Sequence, residues 1–203
     1  MIAVLDYGAG NLQSVVKALQ FIGCDPLVTA DPEKLKSASA AILPGVGAFG
    51  DAMGCLQKSG LVQPVLDFID SGKPFLGICL GLQLLFEGSE EAPGISGLGV
   101  LKGKIYRIPD APGLKIPHIG WNSLDLKNHK GLFNGLEEHP YVYFVHSYYL
   151  KADDRDVVAA TAEYGVTIDA SVSRGNLFAT QFHPEKSGKT GLKMLRNFAV
   201  MIR

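Results

Sequence analysis

Gly77-Ile78-Cys79-Leu80-Gly81-Leu82-Gln83 is the stretch that decides how this chain is read. An apolar run, Phe75 to Ile78, leads into the cysteine, and Leu82, Leu84, Leu85 and Phe86 follow it. That order predicts a strand, a tight turn and a helix, with the Cys79 thiol held at the turn. Gly77 and Gly81 leave room for a bend of the nucleophile-elbow kind. A thiol at a helix N-terminus feels the positive end of the macrodipole, which favours the thiolate. Far downstream, Gln181-Phe182-His183-Pro184-Glu185 offers a base and a carboxylate. His183 would take the thiol proton and Glu185 would orient the imidazole. In extended chain, residues two apart share a face, so Glu185 is expected beside the His183 ring, with Pro184 ending the ladder. A buried cysteine alone is ordinarily a small hydrophobe. The pair together reads as a covalent acyl-transfer site.

Outward from Cys79, the first half alternates apolar strands with amphipathic stretches. Ile2 to Leu5 is a strand leaving into Asp6-Tyr7-Gly8-Ala9-Gly10. Asn11 would cap a helix carrying Leu12, Val15, Val16, Leu19 and Ile22, and Gly23 would close it. Pro26 to Thr29 and Ala40 to Leu43 read as further strands, with helices around Phe49, Met53 and Leu56 and over Leu61 to Ile69. Such alternation predicts a parallel sheet covered on both faces, with sites along one edge.

The second half is richer in strands. Gly97 to Ile108, Pro117 to Leu124 and Tyr141 to Leu150 read as extended. Val157 to Ala162, Val166 to Val172 and Leu177 to Phe182 read as hairpin strands around an Arg174-Gly175-Asn176 turn. A last helix places Leu192, Leu195, Phe198 and Ile202 on one face. The expectation is one α/β domain over 1–203, with a central mostly parallel sheet, flanking helices and a strand-rich C-terminal half.

Composition removes several classes of function. The chain has 203 residues, 47% of them hydrophobic, and a net charge of −1, so it carries no basic field for nucleic acid or anionic membrane. No apolar stretch reaches the roughly 18 residues of a membrane span. The first residues read as a strand, not as a signal peptide. Cys24, Cys55 and Cys79 form no disulfide framework and have no metal-ligand spacing, so a cytoplasmic protein without metal or cofactor is expected. Gly8-Ala9-Gly10 invites a dinucleotide reading, but Gln13 stands where a third glycine is needed, and only Asp31 lies about twenty residues on. Close packing of this turn against the sheet is the expectation. Pro44-Gly45-Val46-Gly47-Ala48-Phe49 follows the third strand, where a loop N–H, with that of Leu80, would meet a developing oxyanion.

These residues resemble the class I glutamine amidotransferases, known by Gly-x-Cys-x-Gly-x-Gln around the nucleophile and His-Pro-Glu near the C-terminus. Many members carry a Pro-Gly-Gly-Pro-type loop where this chain has Pro44 to Phe49. That segment, with Asp6 to Leu12, Pro117 to Asn122 and Tyr143 to Tyr148, is similar to the branch serving histidine biosynthesis. The resemblance implies that Cys79 attacks glutamine, His183 moves the protons and Glu185 orients His183. It implies Gly45, Val46 and Gly47 as the oxyanion strand, and Gln83, Ser147 and Tyr148 as contacts to the substrate's amino-acid end. It also implies a partner, a (βα)8-barrel cyclase subunit that receives the ammonia, docked near Asn11, Trp121, Asn122, Tyr143 and Lys186. The alternatives are a sister synthase's glutaminase, a cysteine hydrolase of similar shape, which needs neither Gln83 nor His-Pro-Glu, and an inactive scaffold.

Overall fold

The computed structural model describes residues 1–202; position 203, the end of the expected domain, lies outside the described residues. The first half contains β1 (Ile2–Leu5), α1 (Leu12–Phe21), β2 (Pro26–Thr29), α2 (Pro32–Ser37), β3 (Ala40–Gly45), α3 (Phe49–Lys58), α4 (Val62–Asp70), β4 (Phe75–Cys79) and α5 (Leu80–Leu84). The second half contains β5 (Gly88–Ser89), β6 (Gly103–Arg107), β7 (His118–Ser123), β8 (Asp125–Leu126), β9 (Tyr141–His146), β10 (Tyr148–Ala152), β11 (Val158–Glu163), β12 (Thr167–Arg174), β13 (Leu177–Thr180) and α6 (Gly188–Val200).

The central sheet has eight strands in the order β2-β1-β3-β4-β13-β12-β11-β8. Pairing is parallel from β2 through β13 and antiparallel from β13 to β8. Successive side chains of a strand point to opposite faces, and the core divides accordingly. Ala3, Leu5, Ala41 and Leu43 enter one cluster with α2 to α5. Ile2, Val4, Ala40 and Ile42 enter the other, with Val15 and Leu19 of α1 and Leu195 and Phe198 of α6. Burying each of the larger side chains here, Leu, Ile, Val or Phe, contributes about 1.5–3 kcal/mol against the entropy of ordering it. The α/β architecture expected from the alternation is the one found. Among the described residues, no helix is long and apolar enough to cross a membrane.

Local signals account for the element ends. Asn11 Oδ1 accepts from Ser14 N–H at the start of α1, and Gly23, at φ +85°, closes it. Several expectations need correcting. Helix α2 was not foreseen, because six residues with only Leu35 buried carry no periodicity. Asp31 caps that helix through Glu33 N–H at 2.9 Å. The extended run expected from Gly97 is a strand only from Gly103, and it pairs with β10 and β5 in a separate small sheet. The strand expected to Phe182 ends at Thr180, and α6 ends before Ile202. Strands β7 and β9 form a two-stranded ribbon of their own, standing beside the end of β4.

Candidate active site

Strand β4 delivers Cys79 to the sheet edge, where its backbone sits at φ +55°, ψ −108°. It is the one non-glycine residue with positive φ among the described residues. Such a conformation persists only where the surroundings over-determine it, and three glycines supply that constraint. A Cβ on Gly77 would stand 2.8 Å from the Gly81 carbonyl oxygen, and one on Gly81 would collide with the Leu43 carbonyl. A Cβ on Gly45 would lie 2.8 Å from Tyr7 Oη and 2.9 Å from Leu80 Cβ. The helix after the elbow is only five residues long, so its macrodipole is weaker than the sequence suggested. What remains is local: the first N–H groups of a helix have no partner within it, and these stand beside the thiol.

Strand β13 lies next to β4 and carries the second half of the motif past the same edge. His183 Nδ1 pairs with Glu185 Oε1 at 2.8 Å, and both side chains are 2% exposed. The expected neighbourhood is there, but the route differs. Pro184–Lys186 form a 3-10 turn, and that turn, not extended chain, brings the carboxylate back to the ring. The backbone of His183 is tied on both sides: its N–H donates to Tyr143 O, and its carbonyl accepts from Ser187 Oγ–H at 2.7 Å. Ser187 Oγ also accepts from Tyr143 N–H.

Burial would push the His183 pKa down. The adjacent Cys79 and the Glu185 carboxylate outweigh it and raise the value to about 10. The ring is therefore poised to hold a proton at neutral pH. Its Nε2 is buried without a hydrogen bond of ordinary length, as is Glu185 Oε2. On the thiol itself, Gln181 Nε2–H donates to Sγ at 3.7 Å.

A cleft of about 380 Å³ opens over the thiol, lined among others by Val46, Gly47, Cys79, Leu80, Gln83 and His183. Ser147 and Tyr148 form a further stretch of its wall beside Gln83, with Glu91 and Lys186 also on its lining. Gly45 is not on that lining; it packs beneath the elbow, where Tyr7 Oη–H donates to the neighbouring Pro44 O at 2.9 Å. Burial raises the Tyr7 phenol, with Cys55 and Cys79 adding to the rise, so it stays a donor. Gly8 and Gly10 adopt positive φ, and a Cβ on Gly10 would touch Pro44, so this turn packs on the sheet as expected.

Gln83 Nε2–H reaches Tyr148 O at 3.1 Å and Gln181 Oε1 at 3.0 Å. Its NH2 is spent on the wall, leaving its carboxamide oxygen for a ligand. Glu91 Oε2 accepts from Phe49 N–H at 2.8 Å, which ties the cleft rim to the start of α3 after the Val46 to Ala48 loop. Neither Glu91 nor Gln181 received a role from the sequence.

The residues expected at a docking face differ in their relation to this cleft, and among them only Lys186 is on its lining. Trp121 is 55% exposed and packs edge-on to Tyr143, ring centroids 6.0 Å apart. Asn122 is used internally, donating to Glu163 O and accepting from Ser123 N–H. Asn11 is exposed at its helix cap.

Residues 3–202 match the family described as glutamine amidotransferase class-I. The chain belongs to the class I glutamine amidotransferase family. It is 53% identical over 203 residues to the imidazole glycerol phosphate synthase subunit HisH of Methanothermobacter thermautotrophicus, covering 100% of both chains. It is 50% identical to the protein of the same name from Caldanaerobacter subterraneus, covering 100% of this chain and 99% of that one. Among solved structures, PurLQS from Thermotoga maritima superposes with a TM-score of 0.77 at 22% identity, over 100% of this chain and 98% of the other; that likeness supports the fold. This amidotransferase thus shares its architecture with distant relatives and half its sequence with full-length ones.

Proposed function

We propose that this amidotransferase is the glutaminase subunit of imidazole glycerol phosphate synthase, a single catalytic domain over 1–203 with Cys79, His183 and Glu185 as its triad. The observation that carries the proposal is the elbow thiol opening into the same cleft as His183, with Gln83 and the Ser147–Tyr148 wall around it. Glutamine fits that cleft with its carboxamide at Sγ and its amino-acid end against Gln83, Ser147 and Tyr148. The Glu91 carboxylate is placed to offset the substrate ammonium.

In this reading Cys79 attacks the side-chain carbonyl carbon of glutamine. The developing oxyanion is received by the Leu80 N–H and by backbone of the Val46–Gly47 segment, while Gly45 lets that segment lie close to the elbow. His183, protonated and braced by Glu185, gives its proton to the leaving ammonia. The glutamyl thioester is then opened by water, with His183 as base, and glutamate leaves. Ammonia passes to the (βα)8-barrel cyclase subunit, which completes imidazole glycerol phosphate and an aminoimidazole carboxamide ribotide. We place the docking face on Asn11, Trp121, Asn122, Tyr143 and Lys186. Free thiols at Cys24, Cys55 and Cys79 suit a reducing cytoplasm.

Glutamate release tests this directly, measured with the chain alone, with the cyclase subunit, and with cyclase plus its acceptor substrate. Turnover stimulated by the partner and lost in Cys79→Ala is the expected result. Full activity indifferent to the cyclase would reject the partner, and turnover surviving in Cys79→Ala would reject the triad.

A further inference from the structure

His118 and His146 stand opposite one another in the β7–β9 register and are 3% and 7% exposed. The hydrogen bonds fix which nitrogen carries each proton. His146 Nδ1 lies 2.9 Å from Tyr148 O. A carbonyl only accepts, so that nitrogen is N–H. A neutral imidazole has one such donor, so His146 Nε2 is an acceptor, and it lies 3.0 Å from His118 Nδ1. His118 therefore carries its proton on Nδ1 as well.

Both rings are held neutral. Burial lowers His118 to about 4. It lowers His146 to about 3, against the Tyr148 carbonyl bond and with help from the neighbouring His118 and His183. The His118 ring is itself clamped, stacked 3.7 Å from the Tyr164 centroid and 4.7 Å from that of Phe144. At the far end of this chain of bonds, Tyr148 O takes a second hydrogen bond from Gln83 Nε2–H. One carbonyl in the cleft wall is gripped by two elements.

We propose that His118 and His146 form a positioning relay that fixes the Tyr148 carbonyl, and with it the Ser147–Tyr148 wall that receives the amino-acid end of glutamine. The substrate assignment rests on the glutaminase reading above; the relay's bonding does not. His118 acts without touching substrate. It orients His146, which holds the wall. The relay bonds to the wall that holds the amino-acid end and not to Cys79, where the carboxamide reacts, so it governs ground-state binding more than the chemical step.

The test compares His118→Phe and His118→Asn in the complex with the cyclase subunit. Phenylalanine keeps an aromatic ring for the stack but removes the donor. Asparagine loses the ring but can present an N–H where Nδ1 stood. The relay predicts a KM for glutamine raised roughly three- to tenfold in His118→Phe, with kcat within about twofold of the parent and His118→Asn closer to the parent. Independently of turnover and of how the variants fold, ring-nitrogen NMR of the unmodified protein should show both histidines as Nδ1–H tautomers. An Nε2–H tautomer at either ring overturns the relay, and so does an unchanged KM in a folded His118→Phe protein. If the parent complex releases no glutamate, it is the glutaminase reading that falls, and the tautomers still decide the relay.

Discussion

Gln83 and Gln181 share a buried hydrogen bond of 3.0 Å, and the other end of the Gln181 amide points its N–H at the Cys79 sulfur, 3.7 Å away. Gln83, on the cleft wall, and the Cys79 thiol, the proposed nucleophile, are thereby joined through a single carboxamide whose orientation is forced. Gln83 can only donate there, so Gln181 must present its oxygen to Gln83 and its NH2 to sulfur. Gln181→Leu removes the donor at sulfur and strands an N–H of Gln83. The expected outcome is a kcat reduced about tenfold and slower alkylation of Cys79 by iodoacetamide at a fixed pH. Alkylation at the parent rate would show that the amide does not stabilise the nucleophile.

Glu185→Gln keeps the shape of the proposed triad but removes the charge that, with Cys79, raises His183. The expected loss in kcat is about a thousandfold or more, because the ring is left without a charged partner for its imidazolium. The alkaline limb of the pH profile should move toward neutrality, since one of the influences raising His183 to about 10 is gone. A profile that falls in height but does not shift would assign Glu185 a purely orienting role.

The histidines also set how stability responds to pH. For His118 and His146 the folded values, about 4 and about 3, lie below the unfolded value near 6.5. As pH falls below about 6.5 the unfolded chain binds protons that the folded chain refuses, so stability declines toward acid. His183 has the opposite sign: burial lowers it, but Cys79 and Glu185 raise it to about 10 overall. Its contribution is complete below about 6.5 and is lost as pH rises through about 10. Melting temperatures between pH 4 and pH 7 should fall toward acid, and His118→Phe should flatten that slope. An unchanged slope would mean that His118 is not neutral in the fold.

What the sequence disclosed depended on whether the signal was local. The elbow was legible because Gly77, Cys79 and Gly81 are one turn of chain, and the β-α alternation because each element buries its own periodic face. The nearness of Glu185 to His183 was legible, although the 3-10 turn that achieves it was not. Gln181 lay inside the quoted motif, but its role depends on β13 lying beside β4, a pairing between distant segments. Glu91 reaches Phe49 across 42 positions, and His118 meets His146 across 28, through strand register alone. No spacing rule in one sequence carries such contacts. Gly45 illustrates the same limit: the motif gave its place, but only packing shows that it lies under the elbow and off the lining of the cleft.

Gly45→Ala tests that packing. The added methyl would meet Tyr7 Oη at 2.8 Å and Leu80 Cβ at 2.9 Å, so either the tyrosine or the elbow has to move. Overpacking of this kind costs about 1–3 kcal/mol. Because Leu80 follows Cys79, the proposed nucleophile, kcat should fall together with the melting temperature. Tyr7→Phe alone should cost about 1 kcal/mol, since Pro44 O loses its donor. Combined with Gly45→Ala it should cost less than the sum, because the hydroxyl that clashes is gone. Strict additivity would place the strain at Leu80 instead.

The ribbon of β7 and β9 offers the last test, one that separates folding from partnership. Trp121 is half-exposed, edge-on to Tyr143, whose carbonyl receives the His183 N–H. A large aromatic standing out of the ribbon, packed on the residue whose carbonyl holds the His183 backbone, is suited to anchoring a partner and to sensing its arrival. As an interface anchor, Trp121→Ala should weaken the complex with the cyclase subunit by about 2 kcal/mol, or roughly thirtyfold in Kd. Its exposure means that the isolated chain should melt within a few degrees of the parent. Calorimetric titration against the cyclase, alongside thermal unfolding of the free chain, reads both quantities. Unchanged affinity would move the docking face off this ribbon, and a large loss of stability would make Trp121 a part of the fold.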